Sequence, residues 1–262
     1  MTDVLVCGIA GRMGACSAKA IEGADDLVLA GGVDPFAEGD EYRVAGRAVP
    51  LYHDLEEAIA ALKPDVMLDF TNPSVVEGNI RTALSRGVSC VVGTTGLSNE
   101  QLQDIYQTAT GGAKLFVAPN FTTGAVLMMQ FARMAARFFP DAEIIELHHG
   151  HKKDAPSGTA VRTARMIAEA KEIPSTAPGR ETEMDGMDGA RGALIDGIPV
   201  HSVRSDGYNA NQAVIFGSPG QTLTIRHDSI DRASYMPGVL LALRKVGEID
   251  GLMIGLENLM FD

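Results

Sequence analysis

The sequence contains few cysteines, no tryptophan and no long apolar run. Cys7, Cys16 and Cys90 are odd in number and lie in or beside apolar segments, which is typical of small buried hydrophobes and disfavours disulfides and zinc fingers. No apolar stretch approaches the length of a membrane span, and the start "MTDVLVCGIAGRMG" lacks the basic residues of a secretion signal. We therefore expect a cytoplasmic protein.

Basic residues are also scarce, with 22 Lys and Arg against 34 Asp and Glu and a net charge of −12. No run of Lys or Arg is long enough to follow a phosphate backbone, so we expect no nucleic-acid partner. A local basic pocket for a small anionic ligand is compatible with this composition. The 262 residues leave room for two domains.

The first 121 residues alternate strand-like and helix-like segments. "VLVCGIAGRMGACSAKAIEGADDLVLAGGVD" predicts one β-α-β unit, and "PDVMLDFTNP", "SVVEGNIRTALSRG", "VSCVVGTTG", "NEQLQDIYQTAT" and "KLFVAPNF" continue the alternation. This order predicts a doubly wound parallel sheet of the Rossmann type, with its ligand site at the carboxyl ends of the strands. The segments expected at one crevice are Gly8 to Gly14, Asp34, Phe70-Thr71, Gly93 to Thr95, and Ala118 to Phe121.

A glycine turn follows the first strand, with glycines at Gly8, Gly11 and Gly14. Ala10 stands where the usual dinucleotide fingerprint has its second glycine. The physical needs are still met, since Gly8 can make the tight turn, Gly11 allows close approach of a pyrophosphate, and Gly14 allows a helix to pack on a strand. The turn favours dinucleotide binding, although a simple connection is the alternative.

Asp34 ends the second strand, where a carboxylate can accept hydrogen bonds from both ribose hydroxyls of NAD and repel the 2′-phosphate of NADP. The alternative is that Asp34 merely starts the turn with Pro35. We expect NADH as the cofactor, with NADPH still possible because Arg12, Arg43 or Arg47 could neutralise an added phosphate.

After residue 121 the pattern changes. The sequence predicts a long helix over 122–139, a strand over 141–149, a helix over 158–172, a polar and mobile loop from about Pro174 to Arg191, antiparallel strands over 199–205, 211–218 and 221–229, and helix over 236–260. We therefore predict a dinucleotide-binding domain over 1–121, completed by 231–262, and an inserted α/β domain over 122–230 with a mainly antiparallel or mixed sheet.

The stretch "ELHHGHKKDAPSGT" at 146–159 holds three histidines and two lysines. It could be a polar surface loop, a metal site or the place of the chemistry. In an extended segment His149 and His151 lie on one side and His148 on the other, so they cannot easily share a metal, and Glu146 with His148 gives too few ligands. We therefore expect no metal.

The segments "VCGIAGRMG", "DFTNP", "VVGTTG", "APNFTTG" and above all "ELHHGHKKDAPSGTA" resemble the 4-hydroxy-tetrahydrodipicolinate reductase family, long called dihydrodipicolinate reductase. The resemblance spans both predicted domains in the right order. It implies reduction of a cyclic dicarboxylate by NADH or NADPH with loss of water, on the diaminopimelate route to lysine. It also implies a homotetramer centred on the sheets of a substrate-binding and tetramerisation domain, and hinge closure on binding.

By motif position, the resemblance implies His148 and Lys152 as catalytic residues. It implies substrate contacts from His149, Gly158, Thr159 and Thr95. The cofactor contacts that it implies are Gly8, Ile9, Ala10, Gly11, Arg12, Met13, Asp34, Phe70, Thr71, Gly93, Thr94, Thr95, Ala118, Pro119, Asn120 and Phe121. Asn72 stands where the family frequently has Arg, which favours NADH.

Residue chemistry is compatible with these roles. A dicarboxylate needs cations and amide donors, which Lys152 and the helix start at Gly158 can offer. Hydride addition to the conjugated ring requires a proton, which an imidazole or an ammonium group can supply.

The remaining residues of this stretch are expected to have structural roles. We expect Lys153 to lie on a solvated face and His151 to form a structural hydrogen bond. Asp154 and Ser157 are expected to cap the following helix. His53, His201 and His227 are assigned no chemistry, and the acidic 181–189 loop has no physical account. Two other readings stay open: an inactive dinucleotide sensor of the same fold, and another two-domain dehydrogenase acting on an amino-acid semialdehyde.

Overall fold

The computed structural model describes residues 1–174 and 189–261. The chain forms two compact units, of which the first is residues 1–123 with the chain from Tyr235 onwards, and the second is Gly124–Ser234. The sequence suggested breaks after 121 and 230. Most of the predicted mobile loop and of the acidic 181–189 segment lies outside the described residues. Within the described ranges, no helix is long and apolar enough to cross a membrane.

An eight-stranded sheet forms the centre of the first unit and confirms the predicted Rossmann-type parallel sheet. Its strands are β1 (Thr2–Cys7), β2 (Leu27–Val33), β3 (Glu41–Val44), β4 (Arg47–Tyr52), β5 (Val66–Asp69), β6 (Ser89–Val92), β7 (Leu115–Val117) and, near the C-terminus, β13 (Leu252–Ile254). Their order in space is β13-β7-β6-β5-β1-β2-β4-β3. Every pairing is parallel except that of β3 with β4.

The helices of this unit are α1 (Arg12–Glu22), α2 (Leu55–Leu62), α3 (Val76–Ser85), α4 (Asn99–Tyr106), α7 (Met236–Lys245) and α8 (Glu257–Met260). The start of α4 follows from local chemistry, because Ser98 accepts from the Gln101 amide and Gln101 accepts from the Ser98 amide. This reciprocal capping box satisfies two amides that the first turn leaves unpaired, and an N-cap of this type contributes about 1 kcal/mol.

The central strands are buried and nearly continuous in apolar residues, as expected of a parallel sheet covered on both faces. Val4, Leu5 and Val6 of β1 are fully buried. Cys7 and Cys90 are free and buried, and burial raises the pKa of both thiols. The prediction that these two cysteines act as small hydrophobes is confirmed.

The prediction of helix over 236–260 was wrong for its later part, where Leu252–Ile254 forms β13 and pairs with β7 in parallel. Gly251 and Gly255 have φ of 70° and 99°, a region that glycine enters without steric cost. These two glycines turn the chain into and out of the sheet, so the apolar triplet lies extended at its edge. Helical periodicity cannot distinguish so short an apolar run from a strand.

The second unit contains a five-stranded sheet with the order β12-β11-β8-β10-β9. Its elements are α5 (Thr123–Ala135), β8 (Asp141–His148), α6 (Gly158–Ala170), β9 (Ala193–Ile195), β10 (Ile198–Arg204), β11 (Ala210–Ser218), β12 (Gln221–Ser229) and a 3₁₀ turn at Arg232–Tyr235. Strands β8 and β10 are parallel, whereas β11 is antiparallel to both β8 and β12. The sheet is therefore mixed and mainly antiparallel, which confirms the prediction, and its parallel pairing joins β8 and β10.

Strand β8 alternates buried and partly buried residues, with Ala142, Ile144 and Glu146 on the covered side. Two of these are apolar, but Glu146 carries a carboxylate that is 0% exposed. A buried charge requires partners. Those of Glu146 are His148 at the end of β8, the Ser157 amide just before α6, and Arg204 at the end of β10.

Candidate active site

The glycine turn after β1 has the geometry of a phosphate-binding turn. Gly8 has a φ of 75°, and a Cβ added there would lie 2.8 Å from the Phe70 carbonyl oxygen. A Cβ on Gly14 would lie 2.0 Å from the Gly8 carbonyl oxygen, so α1 contacts the turn backbone directly. No side chain other than hydrogen can occupy Gly14 without moving the helix.

The start of α1 fits an anionic group. Its N-cap, Gly11, offers no side-chain cap, and the first turn holds no acidic residue. The first amides of a helix have no partner within the helix, and together with the helix dipole they favour a phosphate. A dinucleotide is therefore compatible with the residues present.

Asp34 lies against this turn, since its Oδ2 accepts a hydrogen bond of 3.2 Å from the Ala10 amide and its Oδ1 one of 3.1 Å from the Phe36 amide. Each carboxylate oxygen can accept a second bond, so acceptor capacity remains for a ribose. Asp34 thus starts the turn and also keeps acceptor capacity for a ribose. The two roles considered for this residue are compatible.

The strand ends are in register across the sheet. Cys7 pairs with Val33 on one side and Asp69 on the other, and Val92 pairs with Asp69 and Val117. The loops that follow β1, β2, β5, β6 and β7 therefore begin at one edge. The residues of the predicted crevice are brought to that edge, as a parallel sheet requires.

Not every predicted cofactor residue can offer a side chain. Ile9, Ala118 and Phe121 are 0%, 1% and 2% exposed, so these three can contribute only backbone. The Phe70 ring packs edge-on against the Phe121 ring, with centroids 5.7 Å apart. A Cβ on Gly93 would overlap the Phe70 ring. Arg12, Thr95 and Pro119 are exposed, whereas Met13, Thr71 and Asn120 are partly exposed.

Asp69 was missed by the sequence analysis. It is 0% exposed, and its Oδ1 accepts from the hydroxyls of Thr71 and Thr94, both at 2.7 Å. Its Oδ2 accepts from the Asn79 amide at 2.8 Å. One carboxylate thus holds two residues that were predicted to contact the cofactor. The sequence indicated this role only by an acidic residue at the end of an apolar strand.

In the second unit, the stretch 146–159 spans the end of β8, a loop over 149–157 and the start of α6. We call residues 149–157 the catalytic loop, after the role that the family resemblance implies for Lys152. His148 is the last residue of β8, and its Nδ1 contacts Glu146 Oε2. Its side chain is 13% exposed. Burial lowers the pKa of His148, with Lys152 and Arg204 acting in the same direction against the opposing effect of Glu146.

Lys152 lies in the catalytic loop with its side chain 21% exposed, and its Nζ donates to Asp154 Oδ1 at 2.7 Å. This bond lowers the pKa of the Asp154 carboxyl. Asp154 therefore mainly holds the lysine. A smaller contribution to its lowered pKa comes from the Gly158 backbone at the start of α6, in agreement with the predicted capping role. Ser157 does cap α6, because its Oγ accepts from the Ala160 amide at 3.2 Å, which confirms that prediction.

The start of α6 is open. Gly158 is exposed, and a Cβ added to it would meet no atom within 4 Å. Packing of the described chain therefore does not require glycine at 158, whereas close approach of a ligand to the first amides of α6 would. Thr159 follows as a partly buried residue whose carbonyl accepts from the Thr163 hydroxyl.

The other histidines have separate environments. His149 and His151 are exposed, with ring centroids 6.3 Å apart, and His151 forms no hydrogen bond with another described residue. Lys153 is exposed, as predicted. Within residues 1–174 and 189–261, no group of three metal-ligating side chains is arranged to hold a metal.

Arg204 was also missed. It is the last residue of β10, in register with His148, and it donates to both oxygens of Glu146 at 2.8 and 3.0 Å. The two residues are 58 positions apart, so no local pattern indicates the pair. Only the pairing of β10 beside β8 brings them together.

Two family models match the chain, "Dihydrodipicolinate reductase, N-terminus" over residues 2–121 and "Dihydrodipicolinate reductase, C-terminus" over residues 124–260. The 4-hydroxy-tetrahydrodipicolinate reductase of Mycolicibacterium vanbaalenii is 49% identical over 97% of this chain and 97% of its own. That of Listeria welshimeri is 47% identical over 98% of this chain and 99% of its own.

Among solved structures, the dipicolinate-bound dihydrodipicolinate reductase of Paenisporosarcina sp. TG-14 matches with a TM-score of 0.87 and 44% identity, covering 98% of this chain and 99% of its own. An aspartate semialdehyde dehydrogenase of Vibrio cholerae matches with a TM-score of 0.54 at 11% identity, covering 95% of this chain and 100% of its own, which is a likeness of fold alone.

Proposed function

The chain belongs to the dihydrodipicolinate reductase family, and on that premise we propose that it reduces (4S)-4-hydroxy-2,3,4,5-tetrahydrodipicolinate. The balanced reaction consumes this substrate, NAD(P)H and one proton, and yields tetrahydrodipicolinate, NAD(P)⁺ and water. The reaction belongs to lysine and diaminopimelate biosynthesis. The observation that carries the proposal is the segment 148–158, in which a mostly buried histidine, a lysine and an open helix start follow one another within eleven residues.

The first amides of α6 provide the first element of substrate binding. A carboxylate bound there would accept from the amides of Gly158 and Thr159, and the helix dipole would favour its charge. The open space over Gly158 supports close approach. Lys152 adds a cation, and His149 is exposed at the beginning of the same loop, so a dicarboxylate would find donors at both of its ends. We count Thr95 as a further substrate contact.

Proton transfers fall to His148 and Lys152. Loss of water takes a proton from a ring carbon, and hydride addition to the conjugated ring then requires a proton on nitrogen or carbon. His148 keeps its Nδ1 against Glu146, so Nε2 is the nitrogen that can take up or release a proton. Lys152 has three N–H donors, one of which is committed to Asp154. A positioned proton transfer contributes about 10²–10⁴ in rate.

The reduced nicotinamide, when bound, supplies the hydride. The residues that would hold the dinucleotide are the turn Gly8 to Met13 for the phosphates, Asp34 for a ribose, and the loop residues Phe70-Thr71, Gly93 to Thr95 and Ala118 to Phe121. The uncapped start of α1 supports the phosphate position.

We further propose NADH as the preferred form. Asp34 adjoins the turn, and its charge would repel a 2′-phosphate. Of the arginines that could neutralise that phosphate, Arg47 contacts Glu22 at 2.6 Å and Arg43 lies 3.9 Å from Glu41. Arg12 remains exposed at the start of α1. Two of the three candidate cations thus already have carboxylate partners.

Homotetramer assembly and a cytoplasmic location belong to the same proposal. Strand β12 ends the order of the second sheet and exposes Leu223 at 38%. Such an edge is a template for pairing with another chain. Three cysteines without disulfides are compatible with a reducing compartment. Light scattering coupled to size exclusion would test the tetramer directly.

The test is oxidation of NADH, followed by absorbance, with freshly generated condensation product of pyruvate and aspartate semialdehyde. We expect substrate-dependent oxidation, lost in Lys152→Met and retained in Lys153→Met. A chain that binds NADH but shows no oxidation with either nicotinamide would instead be the inactive sensor. Oxidation that requires an amino-acid semialdehyde and phosphate would indicate the other dehydrogenase class.

A further inference from the structure

Glu146 is the most enclosed carboxylate near the catalytic loop. It is 0% exposed, and Arg204, Ser157 and His148 make four hydrogen bonds with it. Arg204 donates Nη2 to Oε1 at 2.8 Å and Nη1 to Oε2 at 3.0 Å, the Ser157 amide donates to Oε1 at 3.2 Å, and His148 Nδ1 contacts Oε2. Burial raises the pKa of Glu146, but hydrogen bonds from Arg204, Ser202 and His148 outweigh it and leave that pKa below its ordinary value.

Stability alone gives little reason for such a pair. Desolvation of two charges offsets most of their attraction, and well-packed apolar residues of similar volume often stabilise a fold equally well. We therefore consider which neighbouring groups the Glu146–Arg204 pair orients. Three of its bonds reach the catalytic loop or the residue just before it.

The pair holds both ends of the catalytic loop. At the beginning, Glu146 contacts the His148 ring. At the end, Glu146 accepts from the Ser157 amide, and Arg204 Nη2 donates to the Asp154 carbonyl oxygen at 2.8 Å. Lys152 lies between these points, and its backbone amide donates to the His149 carbonyl at 3.1 Å. The position of Lys152 thus depends on anchors formed by two residues outside the loop.

The contact with Glu146 also selects the histidine tautomer. A carboxylate with a lowered pKa is ionised near neutral pH and can only accept, so the proton of a neutral His148 lies on Nδ1. Nε2 then carries the lone pair and has no hydrogen-bond partner among the described residues. The charged groups that face this ring are Glu146 on β8, Arg204 on β10 and Lys152 in the loop.

We propose that Glu146 and Arg204 are positioning residues of the reductase reaction. They hold His148 with Nδ1 protonated and Nε2 available, and they fix the end of the catalytic loop so that Lys152 and the first amides of α6 are in place before the dicarboxylate binds. This inference rests on the proposed function, but its two structural consequences can be measured without turnover.

The first measurement is the ¹⁵N NMR tautomer state of His148 in the wild type and in Glu146→Gln. We expect Nδ1–H in the wild type. In the variant the amide NH₂ can donate to Nδ1, and the proton moves to Nε2 or the two forms mix. We expect kcat to fall by about 10²–10⁴ and its pH profile to change, because proton transfer at Nε2 now starts from the wrong form.

The second measurement is the affinity for pyridine-2,6-dicarboxylate, by calorimetry, in Arg204→Lys. Lysine keeps the charge but cannot form the two-pronged contact and also reach the Asp154 carbonyl. We expect affinity at least tenfold weaker, with the Nδ1–H tautomer retained. NADH affinity should be unchanged in both variants, because the predicted dinucleotide contacts lie in the other unit.

The chain contains a matched control. Glu143 lies on the same strand, contacts Arg191, and accepts a hydrogen bond of 2.8 Å from His201 Nε2, but is partly exposed and outside the loop. Glu143→Gln should leave the His148 tautomer, dicarboxylate affinity and kcat unchanged.

An unchanged tautomer in folded Glu146→Gln, or unchanged dicarboxylate affinity in Arg204→Lys, would overturn the inference while leaving the reductase proposal intact. If Glu146→Gln does not fold, the Arg204→Lys affinity alone decides. Absence of turnover in the wild type, with both binding and tautomer as expected, would count against the reductase proposal instead.

Discussion

The hydroxyl of Thr94 donates a hydrogen bond of 2.7 Å to the carboxylate of Asp69. The Thr71 hydroxyl reaches the same oxygen, so two loops that follow neighbouring strands are tied to one buried charge. An ionised carboxylate only accepts, and both hydroxyl protons must therefore face Asp69. The lone pairs of Thr71 and Thr94 are left for donors on a bound molecule.

Two replacements of Asp69 should distinguish the contribution of its charge to stability from that of its hydrogen bonds. Asp69→Ala leaves the Thr94 hydroxyl and the Asn79 amide without their acceptor, and each buried unsatisfied group costs about 1–3 kcal/mol. Asp69→Asn keeps one acceptor oxygen, and a flip of the Asn79 amide restores the other bond. Urea denaturation should show a clear loss of unfolding free energy for Ala and a smaller one for Asn. Equal losses would contradict this reading.

Asp34 should control the choice of nicotinamide. In the wild type we expect kcat/KM for NADH to exceed that for NADPH by tenfold or more, which corresponds to about 1.4 kcal/mol. Asp34→Ser removes the charge that repels a 2′-phosphate and should raise relative use of NADPH. The measurement is kcat/KM with both cofactors at fixed substrate. A wild-type preference for NADPH would show that Arg12 or another cation outweighs Asp34.

Lys152 and Lys153 form an adjacent pair with different environments. Lys152 is held by Asp154 and mostly covered, whereas Lys153 is exposed. Lys152→Met should lower kcat by about 10²–10⁴, because a proton donor and a substrate cation are lost together. Lys153→Met should leave steady-state kinetics within about twofold, since solvated surface charges contribute little. Equal losses in the two variants would mean that only the net charge of the loop matters.

Gly158→Ala should affect binding without affecting the fold. A Cβ at 158 meets no atom within 4 Å, and Gly217 in β11 is equally unobstructed. Both alanine variants should therefore keep the wild-type Tm within a few degrees. Only Gly158→Ala should weaken binding of pyridine-2,6-dicarboxylate, because the methyl group would occupy the space next to the first amides of α6. Calorimetry and thermal melts of both variants provide the comparison.

His227 should contribute to acid sensitivity. Burial lowers the pKa of His227 below its ordinary value of 6.5, so the unfolded chain binds the proton first as pH falls. The unfolding free energy therefore decreases as the pH falls from about 6.5 to the folded-state pKa of His227. Above about pH 6.5 this histidine has no effect on stability. His148 acts in the same direction.

Urea denaturation at about pH 7.5 and about pH 5.5 brackets this window. His227→Asn should reduce the difference in unfolding free energy between the two conditions. His53→Asn, which replaces an exposed ring, provides the comparison. A pH difference that is as large in His227→Asn as in the wild type would exclude this source.

Local chemistry made much of the fold predictable. The β1-α1-β2 unit follows from an apolar run, a glycine turn and helical periodicity, and Ser157 follows from its preference as a helix cap. Glu146 with Arg204 could not be predicted, because the two residues meet only through the pairing of β8 with β10. Buried side chains such as Ile9 and Phe121 were likewise predicted as contacts, since a motif gives position but not exposure.

Some functional roles can be predicted from local sequence pattern, whereas others cannot. Lys152 and His148 were found from residue type and resemblance, and their roles remain predictions until the variants are measured. Asp69 lies inside a recognised segment, but its importance depends on two hydroxyls and an amide that only the folded loops bring to it. Tertiary hydrogen bonds of this kind leave no periodic signal in a sequence.

The first unit is assembled from both ends of the chain. Strand β13 pairs with β7, and Arg244 on α7 forms a two-pronged ion pair with Asp26 across 218 positions. During synthesis the N-terminal part emerges first, so β7 remains an unpaired edge while the whole inserted unit is translated. Contacts so distant in sequence also form slowly. The newly made chain therefore passes through a stage with an open sheet edge, when self-association competes with arrival of its own last strand.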